Sequence, residues 1–147
     1  MTRVVVLHLL CPGEIQEHRH TPLGKDQVLT AVGRHLHDIT LDAAYCSDML
    51  ATKEAVEIVL QQRDDNLNPV QQDWCVESLT RIATVVTSNV AHNDEMRRKP
   101  WHVLVGHKTE HLGEADIMQY TLRHNGNEWR LISSIHIRCP QVIRSTS

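Results

Sequence analysis

Two histidines stand where a side chain could do chemistry. His8 interrupts the apolar run VVVLHLL, and His107 directly follows the apolar segment WHVLVG. Imidazole exchanges protons near neutral pH, so two of them in one pocket can serve as general acid and general base. Glu14 is a third candidate, because it follows His8 closely in sequence and a carboxyl group can donate a proton. The competing interpretation is that such histidines are structural residues that bond to their neighbours.

The elements that must position these histidines alternate between strands and helices. Apolar runs and helical spacing predict strands at 3–9, 41–46, 101–106, 115–123 and 129–138, and helices at 24–37, 49–62 and 70–92. The pair Asn125-Gly126 predicts a type I′ turn between the last two strands. This order predicts one three-layer α/β/α domain over residues 1–147, with a mostly parallel sheet and a C-terminal antiparallel hairpin. Ligands collect at the carboxyl ends of parallel strands, where His8 and His107 are both expected.

Composition excludes several classes of function. The net charge of −3, with no basic block and no Phe, gives no surface for nucleic acid. No apolar stretch reaches the length of a membrane span. The four cysteines are widely spaced and form no CxxC pair, which is typical of reduced thiols in a cytoplasmic protein. We therefore expect a cytoplasmic protein that takes a small-molecule ligand, without a cofactor, nucleic acid or membrane partner. Its oligomeric state is not predicted.

Four segments follow one another in an order that resembles a known superfamily. They are TPLGKDQ at 21–27, YCSDML at 45–50 with Glu54 after it, VLVGH at 103–107, and NEWRL at 127–131. Together they resemble the histidine phosphatase (phosphoglycerate mutase-like) superfamily over nearly the whole chain. The resemblance implies the α/β/α fold of that superfamily.

The same resemblance implies roles for single residues. In the superfamily the first strand ends in Arg-His-Gly; this histidine accepts the phosphoryl group, and two arginines and a second histidine bind the phosphate oxygens. Carried over to this sequence, the nucleophile position is His8 and the second histidine is His107. The first arginine position is Leu7, the glycine position is Leu9, and the second arginine position is Ala51. The chain therefore resembles a divergent member that lacks both phosphate-binding arginines.

The missing arginines decide what the predicted pocket can do. Phosphoryl transfer depends on positive groups that stabilise charge on the phosphate oxygens, and losing one such donor costs on the order of 10² to 10³ in rate. We therefore predict that phosphatase activity is lost or weak, unless Arg19, Lys53 or Lys108 supplies a substitute cation. Without guanidinium groups nearby, the two imidazoles are expected to titrate near the free value of about 6.5.

Three functions remain open at this point. The first is acid–base chemistry on, or binding of, a small molecule that is not a phosphomonoester, in a pocket that the residues at the lost motif positions make more apolar; Arg19 and Lys108 could contact such a ligand. The second is a non-catalytic pseudophosphatase that acts as an interaction module. The third is a weak phosphomonoesterase that forms a phosphohistidine at His8. A pocket lined by both imidazoles favours the first, and a filled pocket beside an exposed apolar patch favours the second.

Two other motifs are weaker. The segment His107-Lys108-Thr109-Glu110-His111 satisfies the zinc pattern HxxEH, which requires a helix. Here a predicted strand runs directly into the first histidine and Gly113 follows, so no metal site is predicted. Cys46 and Ser47 lie at a predicted strand end without a nucleophile motif, and a supporting hydrogen-bond role is expected for them.

Overall fold

The chain forms one six-stranded sheet with helices on both faces. A computed structural model describes residues 3–10, 33–34, 36–47, 50–62, 67–72, 79–88, 99–107 and 117–137, except the side chain of residue 51. The elements are β1 (Arg3–Leu10), β2 (Ala43–Cys46), α1 (Leu50–Leu60), β3 (Val70–Gln71), α2 (Leu79–Ser88), β4 (Trp101–Gly106), β5 (Ile117–His124) and β6 (Trp129–Ile137). Among the described residues, no helix is long and apolar enough to cross a membrane.

The strand order in the sheet is β3-β2-β4-β1-β5-β6. The first four of these strands are mutually parallel, whereas β5 and β6 form an antiparallel pair that joins the sheet alongside β1. Buried residues of α1 pack in one core cluster and buried residues of α2 in another. The predicted three-layer α/β/α architecture is therefore confirmed, as is the C-terminal antiparallel hairpin.

The apolar run of β1 is explained by burial on both faces. Successive side chains of a strand point to opposite sides of the sheet. Val5, Leu7 and Leu9 belong to the core cluster under α2, whereas Leu10 belongs to the cluster under α1. By the same alternation His8 lies on the α1 side.

One predicted helix is wrong at its beginning. Residues 70–92 were expected to be helical, yet Val70 and Gln71 form β3, which pairs in parallel with Tyr45 and Cys46 of β2. The backbone N–H of Gln72 also donates to the carbonyl of Cys46 at 2.9 Å. Pairing with a neighbouring strand, which the spacing of apolar residues does not report, decides the conformation here. The helical spacing is real over Leu79–Ser88, where α2 lies.

The turn between β5 and β6 is centred one residue later than expected. The backbone N–H of Asn125 donates to the carbonyl of Glu128, so the central pair is Gly126-Asn127 and not Asn125-Gly126. Gly126 has a φ of +105°, which glycine adopts without a steric penalty. The side-chain oxygen of Asn125 accepts the N–H groups of Asn127 and Glu128 at 2.9 and 3.1 Å, which makes Asn125 the cap of the turn.

Candidate functional site at the carboxyl edge

Three parallel strands end together at one edge of the sheet. The N–H of His107, directly after β4, donates to the carbonyl of Leu10 at the end of β1, at 3.0 Å. The N–H of Ser47, directly after β2, donates to the carbonyl of Gly106 at 3.1 Å. His107 and Ser47 therefore lie where ligands of open α/β sheets collect.

Ser47 has a structural role at this edge. Its hydroxyl lies 2.6 Å from the hydroxyl of Thr52, which donates to the carbonyl of Ser47 at 3.2 Å. Both residues are buried, and the pair ties the end of β2 to the first turn of α1. The adjacent Cys46 is a buried thiol; burial and then Glu57 raise its pKa, so it stays protonated at neutral pH. The supporting hydrogen-bond role expected from the sequence fits the geometry of Ser47.

His107 is a partly buried imidazole that stays neutral at pH 7. Burial lowers its pKa below the ordinary value. The expectation that it titrates at the free value is therefore wrong, because removing guanidinium groups does not remove the cost of desolvation. Its Nδ1 atom is buried and meets no hydrogen-bond partner among the described residues.

His8 pairs with a histidine that was not singled out from the sequence. Its Nε2 lies 3.0 Å from Nδ1 of His102 in the neighbouring strand β4, and the two rings stack with centroids 5.2 Å apart and planes 22° from parallel. The His8 side chain is fully buried, at 0% exposure. The signal available in the sequence was that each of the two apolar runs contains one histidine.

His102 is held by its own neighbours. Its backbone N–H donates to a carboxylate oxygen of Asp42 at 2.9 Å, and its carbonyl accepts the N–H of Asp42 at 2.8 Å. Burial lowers the pKa of His102, the charge of Lys99 lowers it further, and Asp42 opposes both. The two imidazoles are thus kept close together in a place where the positively charged form of His102 is disfavoured.

His8 and His107 lie at different levels of the sheet. The register pairs His8 with Leu104, three residues before His107, and β1 continues for two residues beyond His8. At about 3.3 Å per residue the two histidines are separated by about 10 Å along the strand direction. The structure therefore brings His8 together with His102 and not with His107, and the catalytic roles of His8 and His107 stay predictions.

The remaining predicted residues fall in three groups. Leu7 and Leu9 are core residues under α2, on the face opposite His8, so they do not line a pocket with its ring. Ala51 lies in the first turn of α1, without a described side chain. Three predicted residues lie outside the described part of the chain: Glu14, Arg19 and Lys108.

Metal ligation finds no support in the described residues, where no group of three or more His, Cys, Asp or Glu side chains could hold an ion. Residues 108–111 of the HxxEH segment lie outside that part of the chain.

Comparison with solved structures identifies the fold of this chain. A phosphoglycerate mutase from Bacillus anthracis matches with a TM-score of 0.56 and 14% identity, over 90% of this chain and 93% of its own. A mycobacterial glucosyl-3-phosphoglycerate phosphatase matches with a TM-score of 0.58 and 14% identity, over 89% and 97% of the two chains. A putative phosphohistidine phosphatase from Agrobacterium tumefaciens gives 0.53 and 11%, over 89% and 96%. The chain has the histidine phosphatase fold.

Within this fold the chain is divergent in sequence, as its low identity to these structures shows. No protein-family model matches the sequence, and no curated protein matches it. In this chain His107 lies at the carboxyl edge and the His8–His102 pair lies on the α1 side of the sheet.

The pKa shifts of His102 and His107 predict how stability depends on pH. Both imidazoles have a lowered pKa in the folded protein, whereas the unfolded chain titrates near about 6.5. The unfolded state therefore binds more protons below that value, so their contribution to stability is complete above about pH 6.5 and is lost as the pH falls toward the folded pKa values. Urea denaturation should show a lower free energy of unfolding at about pH 5.5 than at about pH 7.5. His102→Leu should reduce this difference; a free energy independent of pH would contradict the assignment.

Proposed function

We propose that this chain is a pseudophosphatase, a protein with the histidine phosphatase fold that acts by binding and does not transfer phosphoryl groups. The observation that supports this most strongly is the end of β1. The strand runs to Leu10, which pairs with Gly106 and accepts the N–H of His107. The end of β1 is therefore level with the second histidine, and the superfamily motif that ends the first strand can be aligned with the residues that follow Leu10 in the sequence.

Those positions read Cys11-Pro12-Gly13. When the Arg-His-Gly motif of the superfamily is aligned with these three residues, its glycine matches Gly13. When the motif is aligned with Leu7-His8-Leu9, its glycine falls on a leucine. The nucleophile position then holds proline, whose side chain carries no nucleophilic atom, and the arginine position holds a thiol without positive charge. On either alignment the first phosphate-binding arginine is missing, and Ala51 stands at the second arginine position. The signal in the sequence that could have found this alignment was Gly13.

The acid–base alternative requires two imidazoles in one pocket. The contact between His8 and His102, and the full burial of His8, speak against a catalytic pair with His107. Of the residues that the sequence proposed for catalysis and that the structure describes, His107 alone lies at the carboxyl edge. Binding is therefore the function that this arrangement supports best.

The surface of β6 agrees with a binding role. Leu131, Ile132 and Ile135 are 49%, 45% and 49% exposed on this strand, which lies at the edge of the sheet. The register shift between β5 and β6 puts Leu131 opposite Leu122, on the α2 side of the sheet, and Ile135 opposite Gln119, on the α1 side, so these residues do not stand on one face. An edge strand with exposed apolar side chains can pair with a strand of a partner protein.

Hydrolysis of an aryl phosphate tests the proposal. The purified protein, His107→Ala and the control His136→Ala are incubated with p-nitrophenyl phosphate, and the release of nitrophenol is followed. We expect all three to match the rate without protein, because the nucleophile position of this alignment holds proline and both arginine positions hold other residues. Turnover by the wild type that His136→Ala keeps and His107→Ala loses would show that the phosphatase chemistry survives.

A further inference from the structure

A pocket lies at the opposite end of β1 from His107. It occupies about 550 Å³ between α2 and the turn that joins β5 to β6, and we call it the hairpin pocket. This volume falls within the range typical of small-molecule sites, about 300–1,000 Å³. Its lining residues come from the sheet, the turn and α2, and neither His107 nor Ser47 is among them. A ligand bound here is therefore independent of the function proposed for the carboxyl edge.

Three side chains of the sheet line the hairpin pocket in one row. The register pairs Arg3 of β1 with His124 of β5, and His124 with Trp129 of β6. Arg3 lies two residues before Val5 and His124 two residues after Leu122, and both of these residues are buried under α2. Residues two apart in a strand share a face, so the row lies on the α2 side of the sheet. A cation, an imidazole and an indole thus stand side by side and face a helix.

The helix side of the hairpin pocket is lined by four residues that carry a hydroxyl group. Thr80, Thr84, Thr87 and Ser88 line it and follow a helical spacing. The hydroxyl of Thr84 donates to the carbonyl of Thr80 at 2.9 Å, that of Thr87 to Ala83 at 2.7 Å, and that of Ser88 to Val85 at 2.8 Å. Because these hydrogens are used within the helix, the oxygens of the exposed Thr84 and Ser88 are available to a ligand as acceptors, whereas Thr87 is buried.

Donors are available on the sheet side. The N–H of Gly126 donates to Nδ1 of His124 at 3.1 Å, so neutral His124 carries its proton on Nε2 and can donate it. Arg3 adds a permanently charged donor. The carboxylate of Glu128, also at this pocket, lies 3.1 Å from Nε of Arg130, which offsets its charge. Arg3 and His124 thus place donors opposite the acceptors of α2, with Asn127 and Glu128 of the turn beside them.

The indole of Trp129 gives the hairpin pocket a flat apolar surface. Its ring is half-buried and packs edge to face against His124, with centroids 5.0 Å apart and planes at 62°. This contact fixes the orientation of the indole. A ligand that fits must present an apolar face to a ring and carry donors and acceptors around its rim.

We propose that the hairpin pocket binds a sugar ring that carries a carboxylate. The hydroxyls of a pyranose both donate and accept, so they can satisfy the oxygens of α2 and the donors on Arg3 and His124. The C–H face of the pyranose packs on Trp129. The carboxylate pairs with the Arg3 guanidinium, whose fork of donors matches carboxylate geometry. An amine would be repelled by Arg3, and an aliphatic ligand would leave the acceptors of α2 without partners.

NMR titration with two sugars tests this inference. D-glucuronate and methyl β-D-glucopyranoside are added to the ¹⁵N-labelled protein, and the indole N–H signal of Trp129, identified by its loss in Trp129→Phe, is followed. We expect saturable shifts with dissociation constants near the millimolar range, tighter for glucuronate. Arg3→Gln should weaken glucuronate binding by about tenfold and leave the neutral glucoside within about twofold.

Variants of the helix side complete the test. Thr84→Val removes one acceptor at nearly constant shape and should weaken both sugars by about fivefold, whereas Thr40→Val, the same change at an exposed site outside the hairpin pocket, should change neither. His107→Ala should also leave binding intact. No saturable shift with either sugar up to about 100 mM would overturn the inference, as would binding that Thr84→Val leaves unchanged or that His107→Ala abolishes.

Discussion

Replacing His8 by alanine should lower the free energy of unfolding by about 2–4 kcal/mol. The imidazole is fully buried in β1 and its Nε2 bonds to Nδ1 of His102 at 3.0 Å. Its removal leaves a cavity and takes a hydrogen-bond partner from a half-buried ring. Urea denaturation of the two proteins at pH 7.5 measures the difference.

The control for His8→Ala is His136→Ala, which removes an exposed histidine from β6 and should change stability by less than about 0.5 kcal/mol. The double variant His8→Ala/His102→Ala should lose less than the sum of the single variants, because the two rings contact each other. Active-site residues are often kept at a cost in stability, so replacing a histidine that serves catalysis should not lower the free energy of unfolding in this way. If His8→Ala were as stable as the wild type, the structural role of this residue would be refuted.

Gly106→Ala should destabilise the protein by about 1–3 kcal/mol. Gly106 ends β4 directly before His107, and a Cβ at this position would overlap Cγ2 of the buried Val56 in α1. The other near atoms would be the carbonyl oxygen of Thr52 at 3.4 Å and Cβ of Cys46 at 3.8 Å, both ordinary contacts. Glycine here lets the helix approach the carboxyl edge closely. Thermal or urea denaturation reports the loss.

A second substitution separates this overlap from other effects. Val56→Ala removes the methyl group that the new Cβ would meet, so the double variant Gly106→Ala/Val56→Ala should be more stable than the sum of the two single losses predicts. Simple additivity of the two losses would mean that the packing of α1 on β4 is not what requires glycine at position 106.

The fold could be predicted because its signals are long and repeated. The run VVVLHLL is apolar because β1 is buried under both helices, and WHVLVG predicts β4 with its observed bounds. These strands, the helical spacing in α1 and the hairpin turn agree with the order of segments that resembles the superfamily. Several independent local signals therefore indicated one architecture.

The arrangement of the site could not be predicted in the same way. Whether His8 meets His102 or His107 depends on the register of β1 against β4, and a shift of one residue moves every side chain to the other face. Apolar spacing locates a strand without fixing its partner or its last residue. The end of β1 at Leu10, one residue beyond the predicted end, changes the alignment that we propose for the Arg-His-Gly motif. For the same reason the burial that lowers the pKa of His107 was not expected from its sequence neighbours.

The measurement that tests the central claim most directly is a titration of the protein with orthovanadate and inorganic phosphate, followed through the imidazole NMR signals of His107. A functional histidine phosphatase site binds such oxyanions between its histidines and arginines, whereas this chain lacks the arginines and has a neutral imidazole at that edge. We predict that the His107 signals show no saturable shift with either anion. A saturable shift of His107 with both anions would contradict the loss of the phosphate site.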